Sequence, residues 1–382
     1  MRTPVFLIRY GDMVRELTKG KMRYDAVFGY TEQYDYALPD DAVVFGKRDR
    51  LAREKIGKRI YYTFPYLYSK KGKLKRRVLR IIGEIYELLL LIWYRPKVVV
   101  VVGAPIDMIF PFIYTKIFGV PLIAVFHDEV LAERLSSKIA AKIVNKPNVI
   151  PITNGELPRD QLISLGADPE KIIIHRVYYP PEFFVEKPIE PQIANSDKFK
   201  VFYIGRFAWT KGMTDLPEII RLTHSKLGDK VKFYLVGDGP MVDYVKNKIA
   251  EYSLEKTVEF LGPRPSDMIY SYIRAADVVI VPSFVECFGK IAAEIMISGR
   301  PVVAYATGGL KYQITDGVDG FLVPTGDYKS MAQRIVELYE NPQLRKKIAQ
   351  NAAKVRKKYE DINQTLGYIL KREIDRILAG SD

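Results

Sequence analysis

Apolar and polar positions along this chain fall into short alternating blocks. Val5–Ile8, Ala26–Phe28, Ala42–Phe45 and Arg59–Thr63 are apolar runs of strand length, and Lys97–Gly103 (KVVVVVG) is almost entirely β-branched. A run that is apolar at every position predicts a strand covered on both faces. Pro121–Phe126 and Asn148–Thr153 repeat the pattern, while Pro105–Phe118, Glu129–Val144 and Pro158–Leu165 carry helical spacing. Strands alternating with helices predict a parallel sheet sandwiched by helices.

The texture breaks at Tyr178–Asp197, where Pro180, Pro181, Pro188 and Pro191 interrupt any periodicity and predict a linker. The alternation then restarts. Strands are expected at Lys200–Ile204, Val231–Val236, Val258–Leu261, Val278–Val281 and Val302–Ala304. Helices are expected at Lys211–Leu227, Met241–Tyr252, Ser266–Ala275 and Phe288–Ile297, then at Tyr328–Tyr339, Pro342–Tyr359 and Asp361–Leu378. The fold class is therefore α/β, with two Rossmann-like parallel-sheet domains. Their expected limits are 1–177 and 199–358, with a linker at 178–198 and a closing helix at 359–382 that packs back on the first domain. A ligand is expected at the carboxyl ends of the strands, in a cleft between the two.

Composition narrows the class. At 382 residues, 48% hydrophobic and 27% charged, the chain has the content of a folded, two-domain protein. No apolar run approaches the ~20 residues of a membrane-spanning helix. The opening MRTPVFLIRYGDM, broken by Arg9 and Asp12, does not read as a secretory signal. With one cysteine, Cys287, and three scattered histidines, His127, His175 and His224, neither a disulfide nor a thiolate zinc site is expected. The chain reads as cytoplasmic and metal-free.

Charge changes the picture in one place. The formal net charge is +14, and the stretch from Lys47 to Arg80 holds fourteen Lys or Arg against Asp49 and Glu54, a net of +12. Its last part, Lys70–Arg77, runs directly into Val78–Tyr94 (VLRIIGEIYELLLLIWY), a helix with apolar residues on more than one face. A basic head on an over-apolar helix suits the surface of an anionic bilayer. The alternative is a core helix beside a solvated basic face. Nucleic acid is not expected, because no recognition fold or base-stacking platform is visible.

Chemistry concentrates at strand-to-helix junctions of the second half. Gly205-Arg206 follows a strand, and Lys211-Gly212 opens a helix, a placement suited to a diphosphate. Gly237-Asp238-Gly239-Pro240 is a second glycine turn, lacking the third glycine of the dinucleotide fingerprint because position 242 is Val. Glu286 and Glu294 stand eight apart in ECFGKIAAE. If one helix ran through both, they would lie roughly 12 Å apart, too far for a glycosidase pair at ~5–9.5 Å, and would serve as two contacts on one extended polar ligand. Thr307-Gly308-Gly309 forms a further bare loop suited to oxyanions.

Residues 201–327 resemble the nucleotide-sugar domain of retaining glycosyltransferases of GT-B fold, glycosyltransferase family four (glycosyl transferases group 1). The matching text is IGRFAWTKG, LVGDGP, VEFLGP, AADVVIVPSFVECFGKIAAEIMISGRPVVAYATGGL and DGVDGFLVPTGD. The resemblance implies a nucleoside-diphosphate-sugar donor. Arg206 and Lys211 would hold its diphosphate, beside the Gly205 and Gly237 loops. Glu294 would take the ribose hydroxyls and Glu286 the sugar, while Phe288 and Gly289 line sugar and phosphate. Gly308 and Gly309 would close the phosphate loop, and Leu261 would lie by the base. In the first domain, His127 would lie near the donor sugar. The catalytic set so implied is His127, Arg206, Lys211 and Glu286, with no metal and no resident cofactor, and no Asp-x-Asp pair occurs in the chain. The chain departs from the pattern at its thin first glycine loop, with only Gly11, and at His175–Tyr179 before the linker. The implied activity is retaining glycosyl transfer to a lipid-linked or glycan acceptor, with an anionic membrane as partner through residues 47–94. Alternatives are an epimerase or phosphorylase on the same fold, or an inactive sugar-nucleotide binder.

Overall fold

A computed structural model describes residues 3–10, 30–48, 51–65, 73–127 and 129–380. The strand expected at Ala26–Phe28, the glycine Gly11 and the basic residues Lys70 and Lys71 lie outside the described residues. The chain divides into two compact units, one running to Val177 and including residues 362–380, the other spanning Tyr178–Asp361.

The first unit is built on β1 (Val5–Tyr10), α1 (Tyr30–Ala37), β2 (Val43–Arg48), β3 (Ala52–Ile56), β4 (Arg59–Pro65), α2 (Lys73–Tyr94), β5 (Val98–Gly103), α3 (Ile109–Phe118), β6 (Leu122–Phe126), α4 (Leu135–Val144), β7 (Val149–Asn154), α5 (Glu156–Ser164) and β8 (Ile173–His175). Its sheet order is β3-β4-β2-β1-β5-β6-β7-β8. All pairings are parallel except β3 with β4. The antiparallel β3 was not legible: AREKI reads as solvated charge, and it alternates half-buried with exposed along the sheet edge.

Burial explains why the central strands are apolar throughout. Phe6, Ile8, Val99 and Val101 belong to the core on one face, with Leu90, Leu91 and Tyr94 of α2, Tyr114 of α3 and Ala140 of α4. Their neighbours Val5, Leu7, Val98, Val100 and Val102 belong to the other, with Tyr34 and Ala37 of α1. Successive side chains of a strand point to opposite faces, so a strand covered on both sides must be apolar at every position.

The second unit holds β9 (Phe199–Ile204), α6 (Leu216–Leu227), β10 (Val231–Val236), α7 (Val242–Glu251), β11 (Val258–Gly262), α8 (Ile269–Ala275), β12 (Val278–Val281), α9 (Lys290–Ile297), β13 (Val302–Tyr305), β14 (Phe321–Val323), α10 (Tyr328–Glu340) and α11 (Pro342–Lys354). The closing helix α12 (Leu366–Ala379) belongs to the first unit. There Leu366, Ile369, Leu370 and Ile374 pack beside Tyr34 and Ala37 of α1. The second sheet is wholly parallel, in the order β11-β10-β9-β12-β13-β14. The chain starts at β9, winds outward through β10 and β11, then returns to the far side of β9 with β12. That reversal leaves a crevice at the carboxyl ends of β9 and β12, where open α/β sheets bind ligands.

Several helices start later than their patterns predict. Residues Glu129–Arg134 are not helical, and α4 begins at Leu135. The helix expected from Lys211 begins at Leu216. Lys211 instead closes a single 3-10 turn, Gly212 follows in left-handed conformation, and Pro217 stands in the first turn of α6. α11 stops at Lys354 and continues as a 3-10 stretch to Tyr359. Among the described residues no helix is long and apolar enough to cross a membrane.

Candidate active site

A cavity of about 270 Å³ opens at the reversal point of the second sheet, lined by residues following β9 and β12 and by the face of α9. Gly205 follows β9, with its N–H donating to the Val236 carbonyl at 3.0 Å. The loop after β12 is tied back to the loop after β9: the N–H groups of Phe284 and Val285 donate to the Thr210 carbonyl at 2.9 and 3.2 Å. These bonds bring Lys211 and Glu286 together, far apart in sequence, with Lys211 Nζ 2.5 Å from Glu286 Oε2.

Glycines let the loops close. Gly212 has φ +74°, and a Cβ there would lie 1.8 Å from the Pro282 carbonyl oxygen. At Gly309 a Cβ would lie 2.3 Å from the Cys287 carbonyl oxygen, and its N–H donates to the Glu286 carbonyl at 2.8 Å. The Thr307 hydroxyl donates to the Phe284 carbonyl at 2.9 Å. The loop carrying Glu286 is thus held by backbone on both sides. Only residues without a side chain permit such approach.

Helix α9 begins at Lys290, after Gly289 in left-handed conformation. Glu286 lies before it, so the helical rise does not separate the two glutamates as a single helix would; both line the same cavity. Glu294 is buried at 6% exposure, and its Oε1 lies 3.0 Å from Lys290 Nζ. Burial pushes its carboxyl pKa up, and the Lys290 ammonium draws it part of the way back. Two cation–carboxylate pairs therefore face one small cavity, one on loops and one on a helix. Tyr203 also lines it and donates from its hydroxyl to the Arg206 carbonyl at 2.8 Å. Burial raises the pKa of that phenol, and the nearby Glu286 carboxylate raises it further.

Of the sequence candidates, Gly205, Lys211, Glu286 and Glu294 line the cavity. Arg206 is exposed at its edge in sequence but is not among the lining residues. Gly237 lies against the β9 end, where a Cβ would sit 1.9 Å from the Gly205 carbonyl oxygen. Leu261 is buried in β11. Phe288, Gly289, Gly308 and Gly309 shape the loops around α9 without lining the cavity. Sequence reasoning missed Lys290, Ser283 and Tyr203. The first was readable, since a lysine four residues before a buried helical glutamate shares its face. The other two look like ordinary strand-end residues.

His127, at the end of β6, belongs to the first unit. Its Nε2 is 2.8 Å from the Tyr34 hydroxyl, and its ring meets His175 edge-on at 5.5 Å. Burial, aided by the Arg9 charge, lowers its pKa to about 3, and His175 is likewise pushed well below the ordinary histidine range by burial and by His127. Both are neutral at neutral pH.

Residues 185–355 match the family model described as Glycosyl transferases group 1. The chain is 27% identical over 271 residues to the alpha-D-kanosaminyltransferase of Streptomyces kanamyceticus, covering 66% of this chain and 69% of that relative. It is 26% identical over 223 residues to the D-inositol 3-phosphate glycosyltransferase of Corynebacterium glutamicum (strain R), covering 55% of this chain and 53% of that one. The match thus spans about half the length of the second relative. Among solved structures, Anabaena HepE in complex with UDP superimposes with a TM-score of 0.69 at 20% identity, over 99% of this chain and 100% of that one. Two α/β units of this topology define the GT-B glycosyltransferase fold.

Proposed function

We propose that the chain is a retaining, metal-independent glycosyltransferase that moves a hexose from a nucleoside diphosphate sugar to an acceptor hydroxyl on a lipid-linked sugar or glycan. It would act at the cytoplasmic face of a membrane. The single observation carrying this reading is the pair of cation–carboxylate contacts, Lys211–Glu286 and Lys290–Glu294, around one cavity at the strand reversal point. HepE, a neighbour in fold, is known bound to UDP and to UDP-glucose, which supports a uridine nucleotide as the first donor to test.

Each residue then has a physical task. As the bond between C1 of the sugar and the diphosphate oxygen breaks, negative charge grows on the diphosphate. Lys211 and Arg206 stabilise that charge, a preorganised electrostatic effect worth about 3–4 kcal/mol for one such contact. The Glu294 carboxylate accepts from ribose hydroxyls, and Glu286, released from Lys211 by the diphosphate, accepts from a sugar hydroxyl. His127, neutral and backed by Tyr34, is suited to hydrogen bonding with a hydroxyl rather than to carrying charge. The new C1–oxygen bond forms on the face the diphosphate leaves, and the acceptor proton passes to the departing phosphate oxygen.

The test is incubation with labelled UDP-glucose and, in parallel, GDP-, ADP- and TDP-sugars, with NMR of the product and a matched EDTA arm. Transfer with the donor's anomeric configuration kept, unaffected by EDTA, is expected. Inverted product or loss of turnover in EDTA overturns the mechanism, and epimerised or phosphorolysed donor overturns the class.

A further inference from the structure

Helix α2 carries hydrocarbon on its outer face as well as on the core face that Leu90, Leu91 and Tyr94 occupy. Its carboxylates point inward: Glu84 is 3% exposed and Glu87 fully buried, while Arg80 lies 3.5 Å from the buried Asp107, just ahead of α3. A second set of large hydrocarbons points outward. Ile81, Ile82, Ile85, Leu89 and Trp93 are 47 to 66% exposed and recur at helical spacing along one stripe. Helix α3, packed beside α2 on the same face of the sheet, repeats the arrangement with Phe110, Ile113 and Ile117, the last 70% exposed. A helix facing water carries its polar side chains on the outer face. Two neighbouring helices that carry hydrocarbon there form an apolar surface of the kind that is covered in use.

The charge around this surface selects the occupant. Helices α2 and α3 each connect parallel strands, so they run in the same direction, opposite to the strands. In sequence, the first turn of α2 is basic, with Lys73, Lys75, Arg76 and Arg77. At the other end Arg95 and Lys97 are exposed and border a cavity of about 800 Å³ together with Tyr114 and Phe118 from the end of α3. Lys116 is exposed between Ile113 and Ile117. The only acids in α2 are the two buried glutamates, and α3 has none. Hydrocarbon between two cationic ends, with an exposed tryptophan at one of them, matches the boundary between lipid headgroups and acyl chains. A second copy of this chain would bring like charge against like.

We infer that the outer face of α2 and α3 docks in the plane of an anionic lipid bilayer, with Ile81, Ile85, Leu89, Trp93 and Ile117 entering the apolar layer and the flanking cations meeting headgroup phosphates. This extends the proposed function by fixing which surface meets the membrane, and rests on it only for the acceptor's location. Binding is measured without donor or acceptor, so failure here leaves the transfer chemistry standing, and failed transfer leaves the docking surface standing.

The experiment is flotation of the full chain with phosphatidylglycerol/phosphatidylcholine vesicles, with pure phosphatidylcholine vesicles, and without lipid. The double variant Ile85→Glu/Leu89→Glu and the single variant Lys116→Glu run alongside, and circular dichroism and UDP binding check that each is folded. The parent is expected to float with the anionic vesicles. The double variant should partition at least about tenfold more weakly, as two large side chains no longer leave water, and Lys116→Glu should weaken anionic binding alone. A parent that ignores anionic vesicles, or a double variant that binds as well as the parent, overturns the inference. So does sedimentation showing a dimer that Ile85→Glu/Leu89→Glu dissociates in a protein that binds no lipid, because the face is then covered by a second copy.

Discussion

Lys290 and Glu294 stand one helical turn apart on α9, with the ammonium 3.0 Å from a carboxylate that is almost wholly buried. The lysine keeps about a third of its side chain in water, the glutamate almost none. Burial has raised the Glu294 pKa, so its charged form is held in the folded protein at a cost. The sign follows: the folded state binds this proton more readily than the unfolded state, and stability from the group is lost as pH rises through the folded pKa. Glu294→Gln is therefore expected to leave Tm unchanged or raise it, while weakening UDP-sugar binding about ten- to hundredfold, the size of a lost hydrogen bond to a charged group. Calorimetric titration beside thermal unfolding decides it, and unchanged affinity removes Glu294 from the donor site.

The Lys211–Glu286 pair predicts an opposite split. If a diphosphate must take Lys211 from Glu286, then Glu286→Gln frees the ammonium. UDP should bind more tightly to this variant, by several-fold, while kcat falls because a neutral amide accepts from the sugar hydroxyl more weakly than the carboxylate. Lys211→Met should lower kcat by about 10²–10³. Steady-state kinetics with UDP as a product inhibitor measures both, and weaker UDP inhibition in Glu286→Gln contradicts the exchange.

His127 and His175 give the first unit an acid limit. Both are neutral when folded and have ordinary affinity for protons when unfolded, so the unfolded state gains protons first as pH falls. Stability from the pair is complete above pH 6.5, the ordinary value, and is lost as pH falls toward about 3 for His127. Each group contributes a slope of up to about 1.4 kcal/mol per pH unit in that window. Urea unfolding followed by a first-unit signal should show the slope flatten in His175→Phe, and a slope identical to the parent's rules the pair out.

Gly212→Ala should destabilise the second unit by about 3 kcal/mol or more, because positive φ and a backbone carbonyl both oppose the new methyl. Gly119→Ala is the control: its φ is +68°, but nothing stands within 4 Å, so only the left-handed cost of about 1–2 kcal/mol applies. Equal losses at both positions exclude the Pro282 contact as the cause.

The second unit was largely legible because its strands follow one rule. Val231–Val236 and Val278–Val281 are apolar blocks bounded by polar turns, and they occur where the pattern places them. Lys211, Glu286 and Glu294 were legible as candidates because they end strands or open helices in a recognisable order. Their mutual geometry was not, since the bonds joining Phe284 and Val285 to Thr210 are backbone contacts that leave no mark on side-chain identity. Short edge strands escaped for a related reason. β8 and β14 have three residues each, too few to show a period, and β3 is hidden by its charges. The late start of α6 was foreshadowed only by Pro217, whose place in a first helical turn competes with the earlier, equally apolar-spaced residues.

The position of α12 has a consequence for biosynthesis. Leu366, Ile369, Leu370 and Ile374 complete a core whose other members lie between Val5 and Ile152, yet the ribosome delivers them only after the whole of the intervening second unit. The layer that α1 begins on the amino-terminal sheet must wait unfinished while roughly two hundred later residues emerge, so the second unit is free to mature first although its synthesis starts later.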